Sequence, residues 1–247
     1  MAESEKQGKS KKNNVRSKSK KDNERAKDFS SDALFFSFNN VKNLNLSFET
    51  ANVVVIPGKS FCIETRGLPK ENLICEQSGE SLSVTNNKHL NFNLLNHSRN
   101  YHIVPRILVT IPQNAKFERL KISIKFGKMI FKNVSLSCTK AQIYLNGGFL
   151  HAEKLSCQTA DVRCFFGKMN LCTIIKQRAN VDCVAGSIFL NFEENISDFS
   201  YDLKLAMGDC NFDDDCNSGF KKKMAENVKS THFSVNCASG NVSFRMH

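Results

Sequence analysis

The sequence predicts an all-β fold, a single-stranded parallel β-solenoid of the β-helix kind, behind a disordered basic N-terminal tail. Three observations predict it. Four apolar positions set around one small residue recur seven times. The remaining runs alternate apolar and polar residues between Gly, Pro and Asn. Ten of the first 28 residues are Lys or Arg, with almost no apolar residues among them.

Residues 1–30 are expected to be the tail. The ten cations are Lys6, Lys9, Lys11, Lys12, Arg16, Lys18, Lys20, Lys21, Arg25 and Lys27; five acids among them leave +5 of the total formal charge of +11. A segment this polar cannot offset the entropy of ordering its backbone. Its one chemical lean is toward anions. Lys/Arg runs attract nucleic acid by counterion release and anionic membrane by surface potential, so Lys9, Lys11, Lys12, Arg16, Lys18, Lys20, Lys21 and Arg25 are the candidate anion contacts. No aromatic residue is interleaved to stack on bases, and a purely solubilising tail has the same composition.

Residues 31–247 are expected to form one domain, with N-terminal coils over 34–112 and repeat coils over 113–247. The 40% apolar content of the chain is enough for a core. "FCIETRG", "LICEQSGESLSVTN" and "PRILVTIP" are short alternating runs bounded by turn residues, and Ile107 to Pro112 is the strongest strand among them. No run of about 18 apolar residues marks a membrane helix, and no apolar h-region follows the basic start as a signal peptide requires. The default expectation is therefore cytoplasmic, with envelope association only through a partner.

The recurring frame is clearest at Gly240. Val235 and Cys237 lie five and three residues before it, Val242 and Phe244 two and four after. The same frame fits Ala51 (Leu46, Phe48; Val53, Val55), Gly127 (Ile122, Ile124; Met129, Phe131) and Ala141 (Leu136, Cys138; Ile143, Leu145). It fits Ala160 (Leu155, Cys157; Val162, Cys164), Gly186 (Val181, Cys183; Ile188, Leu190) and Gly208 (Leu203, Leu205; Cys210, Phe212). Every flanking position is apolar. Side chains alternate faces with period two, yet the two flanks are an odd number of residues apart. If all four point inward, the strand slips phase by one near the small residue. Since Ala fills three of the seven centres and tolerates positive φ poorly, the common demand is small size at a tight corner. From Gly127 onward the copies are separated by 14, 19, 26, 22 and 32 residues. That unevenness is expected to reflect loops of different length on successive coils. An antiparallel sandwich also gives period two, but needs no shared slip.

"ILVTIP" followed by "LKISIKFGKMIF", "LSCQTADVRCF", "VDCVAGSIFL" and "VNCASGNVSF" resembles the putative-adhesin β-strand-repeat family and the related heads of putative autotransporter adhesins, over roughly residues 34–247. The resemblance rests on repeat texture. It implies a parallel β-solenoid on envelope-linked proteins, although Cys, Phe and Met stand here where small polar residues are usual, and the family's hydrophobic anchor is not expected here.

Little chemistry is legible. Ten cysteines without an export signal read as reduced, buried thiols, with Cys138, Cys157, Cys183 and Cys237 expected in one inward column. No C-x-x-C occurs, and spacings such as Cys157 to Cys164 are too wide for a zinc knuckle. In "GDCNFDDDCNSG" Asp213, Asp215 and Asn217 alternate as calcium ligands do, but the glycine falls one place late and Met224 replaces the closing Glu; a solvated acidic loop balanced by Lys221 to Lys223 is expected. Asp209 and Asp214 complete that loop's acids. His89, His97, His102, His151, His232 and His247 show no metal spacing, and "NGGFL" lacks the Lys-Ser/Thr of a phosphate loop. No metal, cofactor or catalytic residue is expected. The reading is a non-enzymatic scaffold or interaction module with an unknown protein or envelope partner, associating end to end with itself. A binder of anionic polymers or surfaces through the tail is the alternative.

Overall fold

A ladder-bonded strand of 68 residues would run about 220 Å if straight, at ~3.3 Å per residue. The strand Lys116–Cys183 instead doubles back, so that Gly148 lies against Gly127 and Gly167 against Gly148. The computed structural model describes residues 34–66, 72–86, 106–192, 199–212, 215–225 and 231–246. No α-helix occurs among the described residues. Within them fourteen strands make one mixed sheet. They are β1 (Leu34–Phe38), β2 (Asn43–Gly58), β3 (Phe61–Arg66), β4 (Leu73–Ser78), β5 (Ser81–Asn86), β6 (Arg106–Pro112) and β7 (Lys116–Cys183). After them come β8 (Ser187–Phe192), β9 (Ser200–Leu205), β10 (Asp209–Phe212), β11 (Asp215–Ser218), β12 (Lys221–Ala225), β13 (His232–Cys237) and β14 (Asn241–Met246).

Successive passes of the chain lie side by side in parallel register. Lys168 of β7 pairs with Ser187 of β8, nineteen residues on. Chain order and spatial order part at both ends. β2 sits between β5 and β6 on one side and the start of β7 on the other. The last pass, β13 and β14, lies between β7 and β8 on one side and β9 and β10 on the other. One sheet therefore includes strands from both 34–112 and 113–247.

The purely parallel stack expected from the sequence is corrected. β1 with β3, β3 with β6, β4 with β5, β9 with β12, and β10 with β11 pair antiparallel. For β4 with β5 and β10 with β11 the reason is connection length. Only Gly79 and Glu80 separate β4 from β5, and only two residues separate β10 from β11. Links that short join antiparallel neighbours; a parallel return needs a dozen residues or more.

The phase slip is present. All four flanking positions in all seven frames are buried, while Arg163, next to buried Val162, has half its side chain exposed. What the frames conflated is two different edges. One edge carries a column in which each glycine lies on its neighbour: Ala51, Gly127, Gly148, Gly167, Gly186, Gly240, Gly208. A Cβ added to Gly127, Gly148, Gly167, Gly186, Gly240 or Gly208 would meet a backbone oxygen of the adjoining pass at 2.1, 2.0, 2.7, 2.8, 2.5 or 2.8 Å. Only Gly127 and Gly148 in that column have positive φ, +123° and +103°. Close backbone approach is thus the shared requirement, and left-handed geometry is incidental. Ala141 and Ala160 belong with Ala179 to a second buried set spaced nineteen residues apart. The separations of 14, 19 and 26 arose from stepping between the two sets and from missing Gly148 and Gly167, since the chain between Gly127 and Gly186 advances by 21, 19 and 19 residues; the separation of 32 between Gly208 and Gly240 contains β11 and β12.

Inward columns fill the space between passes. At the C-terminal end the filling is aromatic: Phe212 stacks on Phe244 at 4.5 Å and on Tyr201 at 4.4 Å, and Phe192 and Phe199 close on Phe233 at 5.4 and 5.1 Å. Asn86 closes the other end, donating to the Thr50 carbonyl at 2.9 Å and accepting from the Glu49 amide at 2.7 Å.

Two pairs of substitutions test this account through denaturant midpoints. Val162→Asp should cost at least about 3 kcal/mol by burying an unpaired carboxylate, and Arg163→Asp about 1 kcal/mol or less. Gly148→Ala, strained in φ and blocked by the Gly127 oxygen, should cost more than about 3 kcal/mol. Gly79→Ala, at φ +57° with open space around it, should cost about 1 kcal/mol. A severe Arg163→Asp beside a mild Val162→Asp would reverse the slip.

Candidate functional site: the glycine corner

The slip has an outward consequence. Residues three before and two after each corner glycine point inward, so the two side chains immediately before the glycine both face solvent, whatever their chemistry. They include Phe126, Phe165, Phe166, Val184 and Met207, exposed by 53%, 46%, 66%, 36% and 70%. These are five of the seven large apolar side chains exposed among the described residues; Phe220 and Met224, near the C-terminal β11–β12 edge, are the others. Up the column the corner reads Phe126, then Gly147, then Phe165 with Phe166, then Val184 with Ala185, then Ala238 with Ser239, then Ala206 with Met207.

The backbone along this corner is already hydrogen-bonded from pass to pass. The amides of Val184, Ala185, Ala238 and Ser239 donate to the carbonyls of Cys164, Phe165, Cys183 and Val184 at 2.6–2.9 Å. Ala206 and Met207 donate to Cys237 and Ala238 at 3.0 and 2.6 Å. Whatever binds here binds through side chains.

Beside the corner runs an open groove of about 480 Å³. Its polar wall is a row one step outward, in the order Arg163, Asp182, Asn236, Lys204. Arg163 Nε reaches Asp161 Oδ1 at 3.1 Å and Asp182 Oδ2 at 3.4 Å, and the Asn236 amide donates to Asp182 at 2.8 Å. The hydrogen bond and charge of Asp161 raise the Arg163 guanidinium further above its ordinary value. The Tyr144 phenol, which donates to Asp161 at 3.1 Å, is raised by burial and by that carboxylate's charge. The opposite side is apolar, from Phe165 to Ala206.

Beneath the groove lie thiols. Cys164, Cys183 and Cys237 each stand three residues before a corner glycine and pack under the glycine of the next pass. Cys183 donates to the Gly186 carbonyl at 3.2 Å. The hydrogen bond between Cys183 and Cys237 lowers the Cys237 thiol below its usual value and raises Cys183. Burial raises Cys164. The single column of Cys138, Cys157, Cys183 and Cys237 is corrected to two pairs: Cys138 with Cys157 in the frames centred on Ala141 and Ala160, and Cys183 with Cys237 at the glycine corner. The physical reason is again the second set of small residues, which gives its flanking positions a stack of their own. All ten cysteines are thiols in the structure.

The tail cations Lys9, Lys11, Lys12, Arg16, Lys18, Lys20, Lys21 and Arg25 lie outside the described residues, as do His89, His97, His102, His247, Asp213 and Asp214. Asp209 is on β10; Asp215 opens β11 and is paired with Lys223, whose hydrogen bond holds its carboxyl below the usual range. Asn217 is buried on β11. His151 and His232 are half-buried on separate passes. Among the described residues no three of His, Cys, Asp or Glu come together as a metal site, and no helix is long and apolar enough to cross a membrane.

Sequence reasoning missed the apolar corner. The signal was present in "KFG", "FFG", "VAG" and "AMG", but the frame was scored only on its inward positions.

No family model and no curated protein matches the chain. Solved structures similar to it include a "putative cell adhesion protein" from Clostridium sporogenes, at 11% identity, covering 87% of this chain and 99% of that one with a TM-score of 0.45. A "putative adhesin" from Bacteroides fragilis follows at 14% identity, 87% and 98% coverage and a TM-score of 0.38. A further "putative adhesin", from Parabacteroides merdae, stands at 8% identity, 86% and 95% coverage and a TM-score of 0.29.

Thiol labelling checks the burial pattern. Cys216, exposed on β11, should react at the rate of a free thiol, whereas Cys138, Cys157, Cys164, Cys183, Cys210 and Cys237 should react only on unfolding. Native labelling of Cys183 as fast as that of Cys216 would mean the floor of the groove is open.

Proposed function

We propose that residues 31–247 form a two-faced β-solenoid of the β-strand-repeat kind that acts as a non-enzymatic, adhesin-like interaction scaffold, with the glycine corner as its binding edge. The row of Phe126, Phe165, Phe166, Val184 and Met207 carries the reading. A soluble chain seldom leaves apolar side chains gathered on one edge unless something covers them, and this row occupies four of the passes along the corner. The nineteen- and 21-residue advances and the parallel register of neighbouring passes support the solenoid; the antiparallel strands are then its caps. The cytoplasmic setting and the separate tail over 1–30 belong to the same proposal.

The corner is preferred to the ends as the contact surface. End-to-end association would join outer strands such as β12, and Lys221 and Lys222 there oppose strand addition by charge.

The triple variant Phe126→Ser, Phe165→Ser, Phe166→Ser tests the binding edge. Its melting temperature should stay within about 3 °C of the parent's, because the three side chains are largely outside the core. Its retention on a phenyl matrix should fall sharply. Retention equal to the parent's would remove the corner as the apolar contact surface.

A further inference from the structure

One end of the corner combines apolar and cationic chemistry. Phe126 and Phe166 hold the same corner position two passes apart, about 10 Å by strand spacing, with no side chain between them, while the intervening pass presents exposed Asn146 at the position of Phe165. The pass between them presents Gly147, and the Phe126 ring lies over it, with ring carbons 3.2 Å from where a Cβ would sit. Lys128 and Lys168 each follow their corner glycine by one residue and are exposed on the other side of it. Their ammonium groups stand over the rings of Phe149 and Phe189, 5.4 and 5.0 Å from the centroids. Among the described residues neither is in an ion pair, whereas Lys125 is held by Glu49 at 2.7 Å and Arg163 by Asp161 and Asp182. This part of the corner therefore presents three exposed Phe side chains before its glycines and, one residue after them, two exposed lysines outside any ion pair among the described residues.

Resting on the corner being the binding edge, we propose that its occupant is an anionic phospholipid surface. Phe126, Phe165 and Phe166 enter the headgroup–acyl boundary while Lys128 and Lys168 contact the phosphates. Charge complementarity selects an anionic partner: each lysine near such a surface adds attraction that salt screens. Shape selects a fluid one. A peptide helix is held by a groove with spaced pockets, but consecutive Phe165 and Phe166 protrude from an edge, and lipid adapts to protrusions. The lysine stems can lie along the same boundary with their heads in the polar layer.

The test uses the full chain, with residues 1–30 present in every variant, so that differences report on the corner alone. Because the chain contains no tryptophan, Phe166→Trp supplies a single indole. Its emission should shift to the blue on phosphatidylcholine vesicles containing phosphatidylserine, and the shift should weaken as salt rises. In that background Lys128→Glu with Lys168→Glu should weaken vesicle affinity by at least about 30-fold, and Phe126→Ser with Phe165→Ser should abolish the shift. No shift on anionic vesicles, or unchanged affinity in both variants, overturns the proposal. A shift produced by an acidic amphipathic peptide and not by vesicles also overturns it, in favour of a protein partner, and leaves the corner as the binding edge. Retention on the phenyl matrix separates the two readings: vesicle binding lost with retention kept removes lipid alone, and neither property removes both.

Discussion

The structure depends on how closely one pass of backbone lies on the next at the glycine corner. A methyl group placed on Gly148 would sit 2.0 Å from the Gly127 carbonyl oxygen, well inside any tolerable contact. Side chains are excluded there, so the chain can slip its inward-outward phase by one residue without burying a polar side chain. The slip lets positions before and after the corner both face the interior. Ala51 occupies the column where the glycine run begins, and it is Gly127 that must lack a Cβ to lie against its oxygen. The demand passes from each pass to its neighbour, which is why it repeats.

The same slip creates the outer surface. On most passes two consecutive side chains are forced outward before the corner glycine, and this chain fills several of those places with Phe, Val and Met. The outward positions away from the corner are different in kind. Asn45 bonds Ser83 at 2.9 Å, Asn191 bonds Asn170 at 2.8 Å, and Asn236 bonds Asp182 at 2.8 Å. These ladders satisfy polar side chains across neighbouring passes and offer nothing apolar. Among the described residues the corner holds five of the seven exposed large apolar side chains, and Lys128 and Lys168 beyond its glycines are in no ion pair.

The ends are handled by a change of strand direction and of chain order. The antiparallel strands β3, β4, β11 and β12 cover the terminal passes, and at each end a strand later in the chain lies beyond an earlier one or is inserted beneath it. The final pass, β13 and β14, fills a slot whose two walls, β7 with β8 and β9 with β10, are earlier in sequence. Contacts of such sequence separation form late and slowly. This arrangement also places the C-terminal aromatic cluster, with Phe233 and Phe244 from the inserted pass, at the centre of its end of the core.

By itself the sequence determined the β content, the inward positions and the phase slip, because all three are periodic and local. Val235, Cys237, Val242 and Phe244 declare their side of the strand through spacing alone. The strand over Ile107 to Pro112 was legible for the same reason. Tertiary structure alone decided which copies share an edge. Gly127 and Ala141 have the same flanks and so read alike, although they stand in separate sets; the difference is the neighbour each one meets, and no local pattern contains it. Strand direction at the ends and the insertion of β13 and β14 likewise depend on partners far away in the chain. So does the corner surface. Phe166 and Phe126 become one cluster only because the intervening pass offers Gly147 there, a coincidence of stacking that forty residues of sequence separate.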